Sequence, residues 1–151
     1  MIAKSDVTAI LAAGTFAGAQ LMIGISFGAQ WRQMSGPELV AAFTGNWFNI
    51  AKTIIPFALL QTIFLPFSLY LAWGNAPARK LWAFSLAIWL INCLITSAYH
   101  FPIVWASMQV GCSAAEIAAV VDTWVLVHWV RIALGYLIFV RCSRDAARAR
   151  D

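Results

Sequence analysis

The sequence predicts an all-α protein: a bundle of four transmembrane helices, with a short amphipathic outer helix between the first and second spans. Of its 151 residues, 62% are hydrophobic and 11% are charged, whereas soluble domains contain roughly 45–50% apolar and about 25% charged residues. Four apolar stretches reach the about 20 residues that a helix needs to cross a bilayer. They cover about 7–30, 51–73, 81–106 and 118–140, which predicts one membrane domain over residues 1–151.

The first stretch is expected to be retained as a helix. It follows a lysine, as a signal-peptide core does, but its apolar run is longer than the about 7–15 residues of such a core. Gly14, Gly18, Gly24 and Gly28 are spaced four or six residues apart along it. Small residues at such spacing let helix backbones approach closely, so we expect tight packing against a neighbour.

The segment between the first two spans has a different pattern. Gly36, Pro37 and Glu38 form a helix-start pattern with proline in the first turn. Apolar residues then recur at helical spacing among polar ones, which predicts a short amphipathic helix on the outer interface.

Three further signals set the remaining boundaries. The sequence GNAPARK over 74–80 predicts a tight turn that makes the second and third spans antiparallel neighbours. Pro102 is expected to break or bend the third helix near its outer end. Ser113 and Glu116 form an S-x-x-E capping box, which predicts that the fourth helix begins near Ala114.

Basic residues indicate the orientation. If four spans alternate, seven cations lie on the side of the termini and two on the other side. The seven are Lys4, Arg79, Lys80, Arg141, Arg144, Arg148 and Arg150, and the two are Arg32 and Lys52. Because basic residues concentrate in cytoplasmic segments, both termini are predicted to be cytoplasmic, in a bacterial-type inner membrane. The basic C-terminal cluster favours lipid head groups over nucleic acid as its partner.

The cysteines argue against thiol chemistry. Cys93, Cys112 and Cys142 fall at three different depths and form no C-x-x-C motif. We expect no disulfide within the chain and no thiolate metal cluster.

Candidate catalytic residues lie near the middle of the fourth span, where His128 and Arg131 occur. A charge at the bilayer centre costs roughly 2.5–3.5 kcal/mol on insertion scales, so such residues face protein or water and often mark function. Trp124, His128, Arg131 and Gly135 share one helical stripe. A neutral His128 could act as a base, Arg131 could bind an anion, and Trp124 could flank an aromatic ligand.

Three amides, Gln20, Gln61 and Asn92, are predicted at similar depth and are candidate substrate-binding residues. In the structural alternative, they only hydrogen-bond to His128 and Arg131 and set the helix register. No Asp or Glu lies at mid-membrane to pair with Arg131. A ligand oxygen or phenolate could take that place, whereas a proton-coupled transporter would be expected to carry a carboxylate there.

A haem or metal site through His100 and His128 is a further alternative, because imidazole binds both. Helical rise places His100 about 28 Å above Leu81 and His128 about 19 Å above Arg141. The resulting difference in depth, about 9 Å, fits a shared metal poorly.

Together, the glycine-rich first helix (LAAGTFAGAQLMIGISFGAQW), the amphipathic segment and the motif W-x-x-x-H-x-x-R, here WVLVHWVR, resemble the anthrone-oxygenase-like four-helix membrane proteins. The resemblance implies oxidation of an electron-rich polycyclic phenol by O₂ without a bound redox cofactor. It implies roles for Trp124, His128 and Arg131. The stretch YHFPIVW, residues 99–105, departs from the asparagine-containing segment expected there.

Three functions therefore stay open. The first is an oxygenase acting on a hydrophobic small molecule or lipid. The second is a non-catalytic accessory subunit of a larger membrane complex or homo-oligomer. The third is a haem- or metal-binding membrane protein.

Overall fold

The computed structural model describes residues 4–34, 36–107 and 113–148. Cys112 and Arg150, which entered the predictions above, lie outside the described residues. The helices are α1 (Lys4–Ile23), α2 (Ala29–Trp31), α3 (Gly36–Leu71), α4 (Ala76–Ile95), α5 (Phe101–Ser107) and α6 (Ala114–Arg148). Two π-helical turns, Gly24–Gly28 and Thr96–His100, connect α1 to α2 and α4 to α5.

The predicted all-α fold with four long apolar helices is confirmed. Four segments are long and apolar enough to cross a membrane, and the described residues form no strand. The first span is Asp6–Trp31, the second Pro37–Leu71, the third Ala76–Ile103 and the fourth Ala115–Ala146. Because the number of spans is even, both ends of the described chain lie at the same end of the bundle, here named the terminal end.

The predicted short amphipathic helix is not found. The helix-start pattern at Gly36 does begin a helix, but nothing ends that helix before Leu71, and residues 36–50 form its first part. At about 1.5 Å per residue, the 36 residues of α3 extend about 54 Å, more than a bilayer core requires. Leu39, Phe43 and Ile50 are buried in the bundle. The segment 36–50 therefore packs against other helices of the bundle instead of lying on the outer interface.

Pro102 does not break the third helix. The helix passes through the π-helical turn Thr96–His100 and continues as α5, with Pro102 at its second residue. A π-helical turn widens the helix and changes its hydrogen-bonding pattern. Pro102, which has no backbone N–H to donate, lies two residues after this turn and does not end the helix.

The predicted start of the fourth helix near Ala114 is confirmed, whereas the third helix begins at Ala76, inside the segment 74–80 that was predicted as a turn. The Asn75 side chain accepts a hydrogen bond from the Ala78 N–H at 3.2 Å, which caps α4 after the tight turn. At α6, the Glu116 carboxylate accepts from the Ser113 N–H at 2.7 Å, and the Glu116 N–H donates to the Ser113 hydroxyl at 3.3 Å. This is the reciprocal pattern of a capping box.

The first and fourth spans pack closely through glycine. A Cβ at Gly24 would lie 2.8 Å from Ile132 Cδ1, and one at Gly28 would lie 3.3 Å from Val125. Gly135 on the fourth span faces Ala17 in the same way, at 3.4 Å. The predicted close approach is confirmed at these positions but not at Gly18, where a Cβ would meet nothing within 4 Å.

Two apolar clusters fill the bundle, with a polar layer between them. One cluster, containing Phe16, Leu65 and Trp89, lies toward the terminal end, and the other, containing Trp31 and Phe43, lies toward the opposite end. The polar layer consists of the buried side chains Gln20, Asn92, His100, His128 and Arg131. Polar side chains are thus enclosed in the bundle between the two apolar clusters.

Candidate functional site

The stripe predicted on the fourth span faces the interior of the bundle. Trp124, His128 and Arg131 are all buried, and Arg131 is only 6% exposed. Asp122, which does not belong to the stripe, is exposed and forms an ion pair with Arg32, with Arg32 Nε 3.2 Å from a carboxylate oxygen. Helical spacing therefore distinguishes the interior residues His128 and Arg131 from the exterior Asp122.

Arg131 is held by two neutral amides. Its Nε donates to Asn92 Oδ1 at 3.0 Å. With the Gln20 amide oriented so that its oxygen faces the guanidinium, Arg131 Nη2 donates to Gln20 Oε1 at 2.9 Å. Both amide nitrogens donate back to the Arg131 carbonyl oxygen, at 3.2 Å from Asn92 and 3.0 Å from Gln20. These contacts fix the side chain in place without neutralising its charge.

Within the described residues, Arg131 forms no ion pair with a carboxylate, and the partners of its side chain are the two amides. Leaving a buried charge uncompensated is costly, and such groups are normally paired with an opposite charge. The guanidinium therefore provides a fixed positive charge that an anionic or strongly polar ligand oxygen would complement.

His128 is oriented by the first span. Its Nε2 lies 2.9 Å from the backbone carbonyl oxygen of Gln20, and because a carbonyl only accepts, Nε2 carries the hydrogen. The Nδ1 atom has no hydrogen-bond partner. In the neutral ring, Nδ1 thus holds a free lone pair. The imidazole also stacks on the Trp124 ring, with centroids 5.0 Å apart and an interplanar angle of 11°.

His100 lies beside this pair, which corrects the predicted separation in depth. Its ring centroid is 6.0 Å from that of His128 and 4.9 Å from that of Trp124. Depth predicted from helical rise requires straight, parallel helices, whereas the π-helical turn Thr96–His100 makes the third span irregular immediately before His100. His100 is 1% exposed, and neither ring nitrogen has a partner.

These groups line a cavity of about 270 Å³. Its polar wall consists of Asn92, His100, His128 and Arg131, and residues of α3 from Trp47 to Thr62 form an apolar wall. A cavity of about 150 Å³ holds benzene, so this one has room for roughly two to three fused rings.

An aromatic pair lies at each end of the cavity. Phe16 and Trp89 form an edge-to-face contact at 5.0 Å toward the terminal end. Trp47 and Phe101 form another, at 5.5 Å, toward the opposite end. All four residues line the cavity.

The predicted substrate-binding residues occupy different positions. Asn92 and Trp124 line the cavity, whereas Gln20 supports Arg131 and His128 and is not part of the lining. Gln61 is also absent from the lining. It is fully buried on the same face of α3 as Leu65 and Ser68, and its amide has no partner. Gln61 therefore lies outside the cavity lining and forms no hydrogen bond with the other predicted site residues.

Sequence reasoning assigned His100 only to a possible metal site and missed its place beside Trp124. A signal was present: Trp89, Asn92, Thr96 and His100 recur at spacings of three and four residues, which is a helical stripe like that of the fourth span. All four line the cavity.

A metal site would have to be built from the two histidines. Within the described ranges, no group of three or more His, Cys, Asp or Glu side chains is arranged to hold an ion. Two imidazoles can share one ion when their ring centres are up to about 6.5 Å apart, given metal–nitrogen bonds of about 2.1 Å. The separation of 6.0 Å lies within that limit. A haem macrocycle is larger than the two to three fused rings that the cavity accommodates, so the geometry fits a bare ion better than haem.

Comparisons with family models, with curated proteins and with solved structures return no match for this chain. Function is therefore inferred from the geometry of the cavity and from the resemblance carried by the glycine-rich first helix, the amphipathic segment and the W-x-x-x-H-x-x-R motif.

Proposed function

We propose that this chain is a small membrane oxygenase that oxidises an electron-rich polycyclic phenol, such as an anthrone, with O₂ and without a bound redox cofactor. The observation that supports it best is the buried Arg131 guanidinium, which has neutral amide partners and lines the cavity beside two histidines. The reaction class itself comes from the resemblance.

Substrate binding follows from the two walls of the cavity. The fused rings contact the apolar wall on α3, and Trp124 offers an aromatic face next to the histidines. The phenolic or carbonyl oxygen is directed toward Arg131, where negative charge is stabilised at a fixed donor. This arrangement favours the ionised, electron-rich form of the substrate, which reacts most readily with O₂.

The reaction balances without a further reductant. His128 Nδ1 accepts a proton from the ring methylene, and the resulting carbanion transfers one electron to O₂. The substrate radical and superoxide combine to form a C–O bond, and the imidazolium returns its proton to give a hydroperoxide. Loss of the second methylene proton with cleavage of the O–O bond then gives the ketone and water. One CH₂ group and one O₂ thus yield one C=O group and one H₂O.

His128→Ala tests the role of the base. Purified protein is assayed with anthrone for O₂ uptake and quinone absorbance, and we expect turnover to fall roughly 100-fold or more, the usual contribution of a general base. Leu126→Ala is the matched control, because Leu126 lies on the same helix, is exposed and does not line the cavity. Circular dichroism should be unchanged in both variants. Retained turnover in folded His128→Ala protein would remove the base mechanism.

A bare metal ion between His100 and His128 is the second candidate. The ring separation of 6.0 Å and the unpartnered nitrogens favour it. The ion would bind His128 through Nδ1, since Nε2 donates to Gln20. Metal analysis of the same purified protein separates the two functions: a stoichiometric ion that is lost in both His100→Ala and His128→Ala supports the metal site.

A further inference from the structure

The side of the cavity between the second and third spans differs from its ends. Several lining residues on this side are exposed, although they belong to an interior cavity. On the second span, Ile55 is 49% and Leu59 is 56% exposed, and Thr62 is also exposed; on the third, Ser97 and Phe101 are exposed. The cavity is not fully enclosed, and these exposed lining residues place its opening on the side between the second and third spans.

That surface is apolar on both sides of the opening. Ile63 and Phe67 on the second span and Leu90, Ile91 and Leu94 on the third are exposed. These residues lie within the segments that are long and apolar enough to cross a membrane. The opening therefore faces acyl chains rather than water.

The cavity ends, in contrast, are narrowed by aromatic pairs, although Phe101 itself is 48% exposed. The Phe16–Trp89 and Trp47–Phe101 pairs lie at the two ends, and Trp31, Phe43 and Trp124 pack edge-to-face beyond the histidines. The lining on the second span extends from Trp47 to Thr62, about 22 Å along the helix axis. The cavity is thus elongated parallel to the lipid chains and open sideways.

We infer that the ligand reaches the site laterally from the lipid phase, between Leu59 and Ser97, and is a bilayer-dissolved amphiphile whose fused rings carry an acidic hydroxyl. The apolar body passes the lateral opening, and the hydroxyl oxygen reaches Arg131 at the opposite wall. This inference relies on the proposed function for the nature of the hydroxyl, while the route depends on the opening alone.

Alizarin, a dihydroxyanthraquinone dye that changes colour when its phenol ionises, is a probe that binds without turnover. With protein in phosphatidylcholine vesicles, stopped-flow absorbance measures the rates of association and dissociation. Leu59→Trp narrows the opening, and we expect the association and dissociation rates both to fall at least tenfold, whereas the loss of a binding contact alone would speed dissociation. Ile63→Trp is the matched control, since Ile63 is 59% exposed one turn away and does not line the cavity. Ser97→Trp and Leu94→Trp repeat the comparison on the third span.

A second measurement tests the phase from which the ligand comes. Alizarin-loaded vesicles are either fused with the protein-containing ones or only mixed with them at the same concentrations. A lateral route requires faster association after fusion, because without fusion the dye must first cross water. An association rate that is the same with and without fusion, rates unchanged in both Leu59→Trp and Ser97→Trp, or failure of the wild-type protein to bind alizarin would overturn the inference. Binding through the opening with no oxidation of anthrone would support the lateral route and reject the oxygenase.

Discussion

At the scale of single residues, the structure separates two kinds of buried amide. Asn92 makes two hydrogen bonds with Arg131, one through its oxygen and one through its nitrogen. Gln61 is equally buried, but both polar atoms of its amide lack partners. Removing a partner from a buried polar group is costly, whereas replacing an unpartnered group with an apolar one of similar size is not. The two substitutions to leucine should therefore have opposite effects.

We expect Asn92→Leu to lower the free energy of unfolding by roughly 1–3 kcal/mol, because the Arg131 guanidinium and carbonyl each lose a hydrogen bond. Gln61→Leu should leave stability unchanged or raise it. Thermal unfolding in detergent, followed by tryptophan fluorescence, measures both. Equal destabilisation by the two variants would mean that Gln61 has an important polar partner. A loss of activity in stable Gln61→Leu protein would restore its predicted role in substrate binding.

At the scale of elements, glycines of the first span allow this span to pack closely against the fourth span. Gly24 begins a π-helical turn, and a Cβ there would meet Ile132 at 2.8 Å and the His128 ring at 3.5 Å. Turns of this kind occur frequently at functional sites. In this protein, the turn allows the first span to approach the helix that carries His128.

Gly24→Leu should displace Ile132 and the His128 ring, costing roughly 1–3 kcal/mol by overpacking and lowering turnover of anthrone. Gly18→Leu is the control, because Gly18 lies on the same span and a Cβ there would meet nothing within 4 Å. Comparing unfolding temperature and activity of the two variants checks the contact. Similar losses of stability and activity in both variants would contradict the prediction, because they would not depend on the close contact at Gly24.

At the scale of the whole molecule, the number of spans and the distribution of cations determine the expected topology. Four spans place both termini on one side, and seven of the nine cations outside mid-membrane are predicted on that side. Since the basic side is normally cytoplasmic, fluorescent-protein fusions to either terminus should be fluorescent, and alkaline-phosphatase fusions at the same points should be inactive. The opposite result for either terminus would contradict the predicted orientation.

The fold was largely determined by local sequence. Hydrophobic length predicted four spans, the capping box predicted the start of α6, and helical spacing predicted that Trp124, His128 and Arg131 share an interior face. These features depend on hydrophobicity, backbone hydrogen bonding and the helical repeat, which act within a segment or a turn. The continuous α3 was predicted as two helices because its first part is amphipathic and the part from residue 51 is apolar. That change of pattern does not end a helix, and α3 runs from Gly36 to Leu71.

The composition of the site was decided by tertiary structure. Sequence alone identified His128 and Arg131, but it could not place His100 beside them or leave Gln61 outside the cavity. Those outcomes depend on a π-helical turn and on which side of each helix faces a neighbour, and both follow from packing among all four spans. The cavity and its lateral opening likewise exist only where separate helices diverge, so no single segment encodes them.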